Sequence, residues 1–312
     1  MTGTPLRLAA YAGALAVAFA AAFTVGAAAD PVVDDPSSAR SGTTELHPQE
    51  DEMKSHPGSQ GATGHTEGVE EATAALPGLA VSAAGYTLVP AATAYSPGSA
   101  VPFRCTVTRP DGQPLSSYRE THEKELHLIV VRRDLAGFQH VHPMRDADGT
   151  WSVALDLPGG GTYRVFADFT PAQSEESLTL GTDIFVAGEF APVAVPAPAA
   201  TDTVDGYTVR LDSDPHAGSE TELTFTVTRD GAEVTDLEPY LGAFGHLVSL
   251  RTGDLAYLHT HPEQEAHAGD RGGPAVGFAT EFPTAGTYRL FLDFQVAGTV
   301  HTAEFTIERE AS

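Results

Sequence analysis

Six histidines in this chain stand at one spacing, twice over. His127, twelve residues, His140, one residue and His142-Pro143 recur as His246, twelve residues, His259, one residue and His261-Pro262. Neutral imidazole nitrogens bind zinc and copper(II) at about 2.0–2.1 Å, so three of them on one surface make a site for either ion. Residues two apart on a strand share a face, which points His140 and His142 the same way. Pairing Val131 with Phe138 across a turn at 132–137 sets Ile129 opposite His140 and His127 opposite His142. A slip of two residues sets His127 opposite His140 instead. Directly opposed residues have Cβ atoms about 4.5–5.5 Å apart, so either register gathers the three rings at one hairpin end. The same pairing places His246 opposite His261. The fourth position falls to water or to Asp168 and Asp293 on a later strand. Alternatively each Asp accepts a hydrogen bond that fixes a histidine tautomer.

Two other readings compete with the metal site. In one, the histidines are structural and hydrogen-bonded, and the chain is a metal-free scaffold for a protein partner. In the other, Gly253, His259, His261, Glu265 and Gly272 match the first metal motif of cupin enzymes. The first copy has Asp134 and Asp146 at the positions of Gly253 and Glu265, and no second cupin motif follows Gly272. The stretch 263–274 reads better as a loop insertion. No Ser/His/Asp order, phosphate loop or acid/base carboxylate pair stands out, so the expectation is a protein without catalytic activity.

Composition narrows the field further. Asp and Glu number 42 against 17 Lys and Arg, for a net charge of −25. Such a surface repels phosphate backbones and anionic lipid heads, which excludes nucleic-acid binding. The single cysteine, Cys105, excludes an intrachain disulfide, Cys-rich zinc sites and iron–sulfur clusters. Three methionines are too few for a Met-rich copper(I) site. Imidazole is left as the metal-binding group, with copper(II) ahead of zinc in the Irving–Williams order.

The elements that position the histidines also come in two copies. Gly85-Tyr86-Thr87 recurs as Gly206-Tyr207-Thr208, and Thr106-Val107-Thr108-Arg109 as Thr226-Val227-Thr228-Arg229. Gly161-Thr162-Tyr163-Arg164 recurs as Gly286-Thr287-Tyr288-Arg289. These are tandem copies of one domain. Alternation and β-branched content place strands in the first copy near 85–89, 101–108, 126–132, 137–142, 151–156, 162–169 and 180–187. Seven short strands without an amphipathic helix predict an all-β chain with two tandem immunoglobulin-like sandwiches, at 76–188 and 204–310. A Pro/Ala linker, 189–203, joins them. Cys105, Tyr163 and Tyr288 read as packing residues.

Upstream, residues 8–29 carry no charge and are mostly Ala, Val, Leu and Phe. This is either a signal peptide cleaved near Ala29 or a membrane-anchoring helix, since about 20 apolar residues span a bilayer. The acidic, Ser/Gly/Pro-rich stretch 30–75 reads as a disordered linker. It holds His47, His56 and His65.

The stretches HLIVVRRDLAGFQHVHP and GTYRVFADFTP resemble exported or membrane-anchored bacterial tandem β-domain proteins of actinobacterial type, associated with heavy-metal transport. That resemblance covers about 76–310. It implies an extracytoplasmic, metal-associated role. Two sites and an acidic surface would suit buffering the ion or handing it to a membrane metal transporter. The expectation is therefore a copper(II) or zinc binding protein with one three-His site per domain.

Overall fold

A computed structural model describes residues 76–213 and 221–310, all within one compact unit spanning Glu70–Ser312. The expected export segment and linker, with His47, His56 and His65, lie outside the described residues. No helix occurs among the described residues. The chain forms two tandem β-sandwiches, and the seven expected strands of the first copy all form.

In the first sandwich one sheet runs Ser82–Ala83, Tyr86–Pro90, Gly98–Thr108, Thr150–Leu157, Met144–Arg145 in spatial order. The other runs Ala94–Tyr95, Leu178–Val186, Gly161–Pro171, His127–Arg132, Gln139–Val141. Leu88, Phe103, Cys105, Val107, Leu128, Val130, Trp151 and Val165 fill the space between them. Burial pushes the Cys105 thiol up to about 12, so it behaves as a small apolar residue. The second sandwich repeats this plan. Its outer sheet runs Thr201–Val204, Tyr207–Ser213, Thr221–Arg229, Ala275–Thr280, Thr260–Pro262. Its other sheet runs Tyr257–Leu258, His246–Arg251, Gly286–Val296, Thr299–Arg309. Tyr163 and Tyr288 do pack: each is fully buried and donates its hydroxyl to a carbonyl four residues upstream, Gly159 at 3.0 Å and Thr284 at 2.8 Å.

The strand His127–Arg132 reads HLIVVR, without polar alternation. A half-buried strand would alternate, so an unbroken apolar run needs cover on both faces. Leu128 and Val130 supply one face to the first sandwich's core. Ile129 and Val131 supply the other to a third apolar cluster, between the sandwiches. There they meet Leu135 and Phe166 of the first copy and Val248, Leu250, Leu255, Tyr257 and Phe291 of the second. Phe138 lies flat on Phe291, with ring centres 3.9 Å apart and planes at 4°. Its repeat counterpart Tyr257 covers Phe166 at 5.8 Å. The interface is thus built from the same positions on both sides.

The hairpin turns reach this interface in a strained form that burial offsets. Leu135 and Leu255 take left-handed φ values of 67° and 65°, uncommon for residues other than glycine, and both are buried in the shared cluster. Arg132 holds Asp134 through two 2.8 Å hydrogen bonds, and Arg251 holds Asp254 in the same way. These clamps fix each turn ahead of its histidines. The segment entering the first sandwich is tied to both copies as well. Pro77 O accepts from Tyr257 N at 3.0 Å, and Gly78 N donates to Thr179 O at 2.8 Å. Gly78 has φ +75°, and a Cβ there would lie 2.7 Å from the Phe166 ring.

Replacing Phe291 by Ala should open a cavity in the shared cluster and cost about 3–5 kcal/mol of unfolding free energy. Urea unfolding of the full chain measures it, and a loss below about 1 kcal/mol would contradict the docking described here.

Candidate functional site

His127 begins the central strand His127–Arg132, and His140 lies on its hairpin partner. The observed register pairs Ile129 with His140 and Leu128 with Val141, as the first of the two expected registers requires. Three ring nitrogens, one each from His127, His140 and His142, lie within 4.8 Å of one another. His127 is 3% exposed and the His140 side chain 1%, while His142 is half-buried.

The hydrogen bonds dictate the tautomers, because a carbonyl or carboxylate only accepts. His127 Nε2 is 3.0 Å from Thr121 O, so its proton sits on Nε2. His140 Nδ1 is 2.9 Å from Asp293 Oδ2, so its proton sits on Nδ1. The Asp293 carboxylate is held in turn by Thr302 Oγ1, which donates to Oδ1 at 2.6 Å. The remaining nitrogens, His127 Nδ1 and His140 Nε2, face each other at 3.1 Å. In neutral rings both carry lone pairs, and two acceptors cannot bond each other. A shared proton or a metal ion resolves the conflict. His142 Nε2 is buried without a hydrogen-bond partner, a third nitrogen in need of one.

Burial lowers the affinity of these rings for protons. His127 is pushed down to about 3 by burial first and by His140 second. His142 is pushed down to about 3 by burial, then by His140 and His127. His246 falls well below the ordinary histidine value for the same reasons, and His122 is lowered by burial.

The domain family of unknown function DUF8832 matches residues 81–184 and again 202–311. The chain belongs to the DUF8832 family. No curated protein matches it. Among solved structures it is similar to the Escherichia coli adhesin FdeC, at 16% identity over 74% of this chain and 66% of that one, with a TM-score of 0.24. Yersinia pseudotuberculosis InvD gives 13% identity over 73% of this chain and 58% of that one, with a TM-score of 0.24. Salmonella alpha-2-macroglobulin gives 14% over 75% and 15%, with a TM-score of 0.25. The chain thus spans less than two thirds of each of these three. Scores so low carry no weight for function, and the sandwich assignment rests on the sheets themselves.

The second DUF8832 copy treats its histidines differently. His246, His259 and His261 do not converge as expected. In the first copy the hairpin stays paired through Val141, and the chain crosses to the other sheet only at Met144. In the second copy pairing stops at Leu258, and Thr260 and His261 already pair with Thr280 and Ala279 of the outer sheet. Val141 is replaced by Thr260, whose hydroxyl donates to the Leu247 carbonyl. His261 is therefore exposed on the outer sheet. His259 Nε2 bonds Ser177 Oγ of the first copy at 3.0 Å. His246 joins the first cluster, its ring 4.7 Å from His140 and 5.4 Å from His127. Asp168 accepts from Thr179 Oγ1 at 2.9 Å, and burial raises its carboxyl.

The cupin reading fails on the same geometry. The described residues form sandwiches and no barrel, and both His261 and Glu265 are exposed. The stretch 263–274 is the expected loop, lying between the strands Thr260–Pro262 and Ala275–Thr280.

Two neighbours of the cluster went unread in the sequence. His122 packs 5.6 Å from His246 and 6.1 Å from His127, from a tight turn in which His122 and Glu123 both take positive φ, 50° and 61°. Tyr240 of the second copy faces His142 at 6.3 Å. His122 has no histidine counterpart in the repeat, so spacing alone could not flag it.

A buried neutral histidine takes up a proton on unfolding, so the unfolded chain binds more protons below the ordinary value near 6.5. Stability should therefore fall with pH from about 6.5 towards 3, by up to about 1.4 kcal/mol per pH unit for each such ring. Unfolding of chelator-treated protein at pH 7, 6 and 5 should show a slope reduced by about one such increment in His127→Gln. An unchanged slope would contradict the neutral, buried state of His127.

Proposed function

We propose that this chain is an extracytoplasmic protein that binds a divalent transition metal, copper(II) or zinc, through His127, His140 and His142. The observation that carries this reading is the pair of facing lone pairs on His127 and His140, with the orphaned His142 nitrogen beside them. The outer nitrogens of the pair are committed to Thr121 O and Asp293, so the inner ones are left for a cation. Ion bonds of about 2.0–2.1 Å ask for nitrogens roughly 3.3 Å apart, and the first pair is already so spaced. His142 completes the set by closing in. Imidazole nitrogens suit copper(II) or zinc.

The uncharged segment 8–29 supports an extracytoplasmic location, and so does the resemblance to exported proteins associated with heavy-metal transport. In that setting the chain buffers the ion or passes it to a membrane transporter. The competing reading is a metal-free scaffold for a protein partner, in which a proton shared between the facing nitrogens satisfies both.

Calorimetric titration of untagged protein at pH 7.5 decides between the two. A bound ion at one hundred times its dissociation constant should stabilise the fold by about 2.7 kcal/mol. His127→Ala should abolish both the heat and the stabilisation. A parent protein that binds neither ion, or binds without a rise in Tm, would leave the scaffold reading in place.

A further inference from the structure

We infer that the metal site belongs to both repeats at once: the second sandwich supplies Asp293 as the positioning carboxylate and His246 as a wall, and the described residues hold one such site rather than two. This rests on the metal reading above.

The carboxylate that orients His140 comes from the other repeat. Within its own repeat Asp293 sits across the ladder from His246, as Asp168 sits across from His127. Yet the Asp293 side chain, 4% exposed, bonds His140 of the first sandwich. Thr302, Asp293 and His140 thus form a directed chain of hydrogen bonds ending at a ring nitrogen with a free lone pair. A carboxylate behind a ligating imidazole fixes its tautomer and raises its basicity. It also supplies negative charge that three neutral ligands lack, and a doubly charged ion in a dry site needs compensation.

The aromatic packing explains why this contact forms across the interface. Phe138 precedes His140 by two residues, and Phe291 precedes Asp293 by two. Residues two apart share a strand face. The 3.9 Å stack of Phe138 on Phe291 therefore sets the next pair along, His140 and Asp293, in register. His246 then lies against the His140 ring, with planes at 29°, and parallel to His127 within 3°. It closes that side of the cluster.

The reciprocal arrangement is absent. Tyr257 meets Phe166 at a tilted 50°, and His259 bonds Ser177 in place of Asp168. Thr260 has already carried His261 to the opposite sheet. The second repeat shares the interface, but its three histidines do not gather into a triad.

The test uses the full chain, with zinc and copper(II) titrated by calorimetry and cobalt(II) as a visible-spectrum probe. The parent should bind one equivalent. Asp293→Asn keeps an acceptor but removes the charge, and Asp293→Ala removes both. Affinity should fall about 10–100-fold, most in the Ala variant, at the same stoichiometry. The cobalt(II) spectrum should change, which a merely structural role for Asp293 would not produce. Should the Asp293 variants fail to fold, Thr302→Val removes the group that aims the carboxylate and should weaken binding several-fold. His259→Ala and His261→Ala should stay within about twofold of the parent. Two equivalents in the parent, parent-like affinity in the Asp293 and Thr302 variants, or weakening by His259→Ala or His261→Ala would each overturn this inference. A parent that binds no metal would instead overturn the metal reading beneath it.

Discussion

The flat stack of Phe138 on Phe291 sets where each histidine of the cluster can sit. It joins two sheets that are each buried on both faces, one face in a private core and the other in the shared cluster. A β-sheet with an uncovered apolar face is an association hazard, and tandem duplication offers the simplest cover, a second copy of the same face. Once the two faces meet, the polar residues at their ends must meet too. His127, His140, His246 and Asp293 extend the rows begun by Val131, Phe138, Leu250 and Phe291. The polar cluster is therefore a consequence of apolar docking, and its geometry inherits the rigidity of that packing.

Much of the fold was legible in the residues. The repeated motifs marked two copies, and period-two alternation marked the strands. The Ile129–His140 register followed from assuming a tight turn, and it holds because the Arg132–Asp134 clamp fixes that turn. Docking was less visible, because periodicity within a strand says which faces differ and not what covers them. HLIVVR did carry a signal. An unbroken apolar run in a predicted sandwich has one face too many for its own core. Reading each copy as self-contained missed that surplus, and with it the route of Asp293 to His140.

Of the site, spacing identified the first triad but treated the second as its equal. The two hairpins share His, His and His-Pro, and they differ at the residue between the last two histidines. Val141 continues the ladder and keeps a side chain against the core. Thr260 bonds the Leu247 carbonyl through its hydroxyl, and its strand pairs with the outer sheet instead. Local side-chain hydrogen bonds of this kind displace backbone pairing where Ser and Thr occur. His261 thus lies on another sheet although the histidine spacing is untouched.

Duplication followed by such a divergence explains the asymmetry of the cluster. Two identical faces docked about a pseudo-two-fold axis would present His127, His140 and His142 to Asp293, and His246, His259 and His261 to Asp168, side by side. Two ions so close in a dry interface would repel each other strongly at low dielectric. Releasing one triad removes that conflict and frees His246 to pack against the ring cluster that remains. On the proposed metal reading Asp293 would balance charge for one site, while Asp168 is held by Thr179 beside His259 and His122. On this view the lost triad and the retained Asp293–His140 bond are two sides of one constraint, the limited charge that a buried interface can hold.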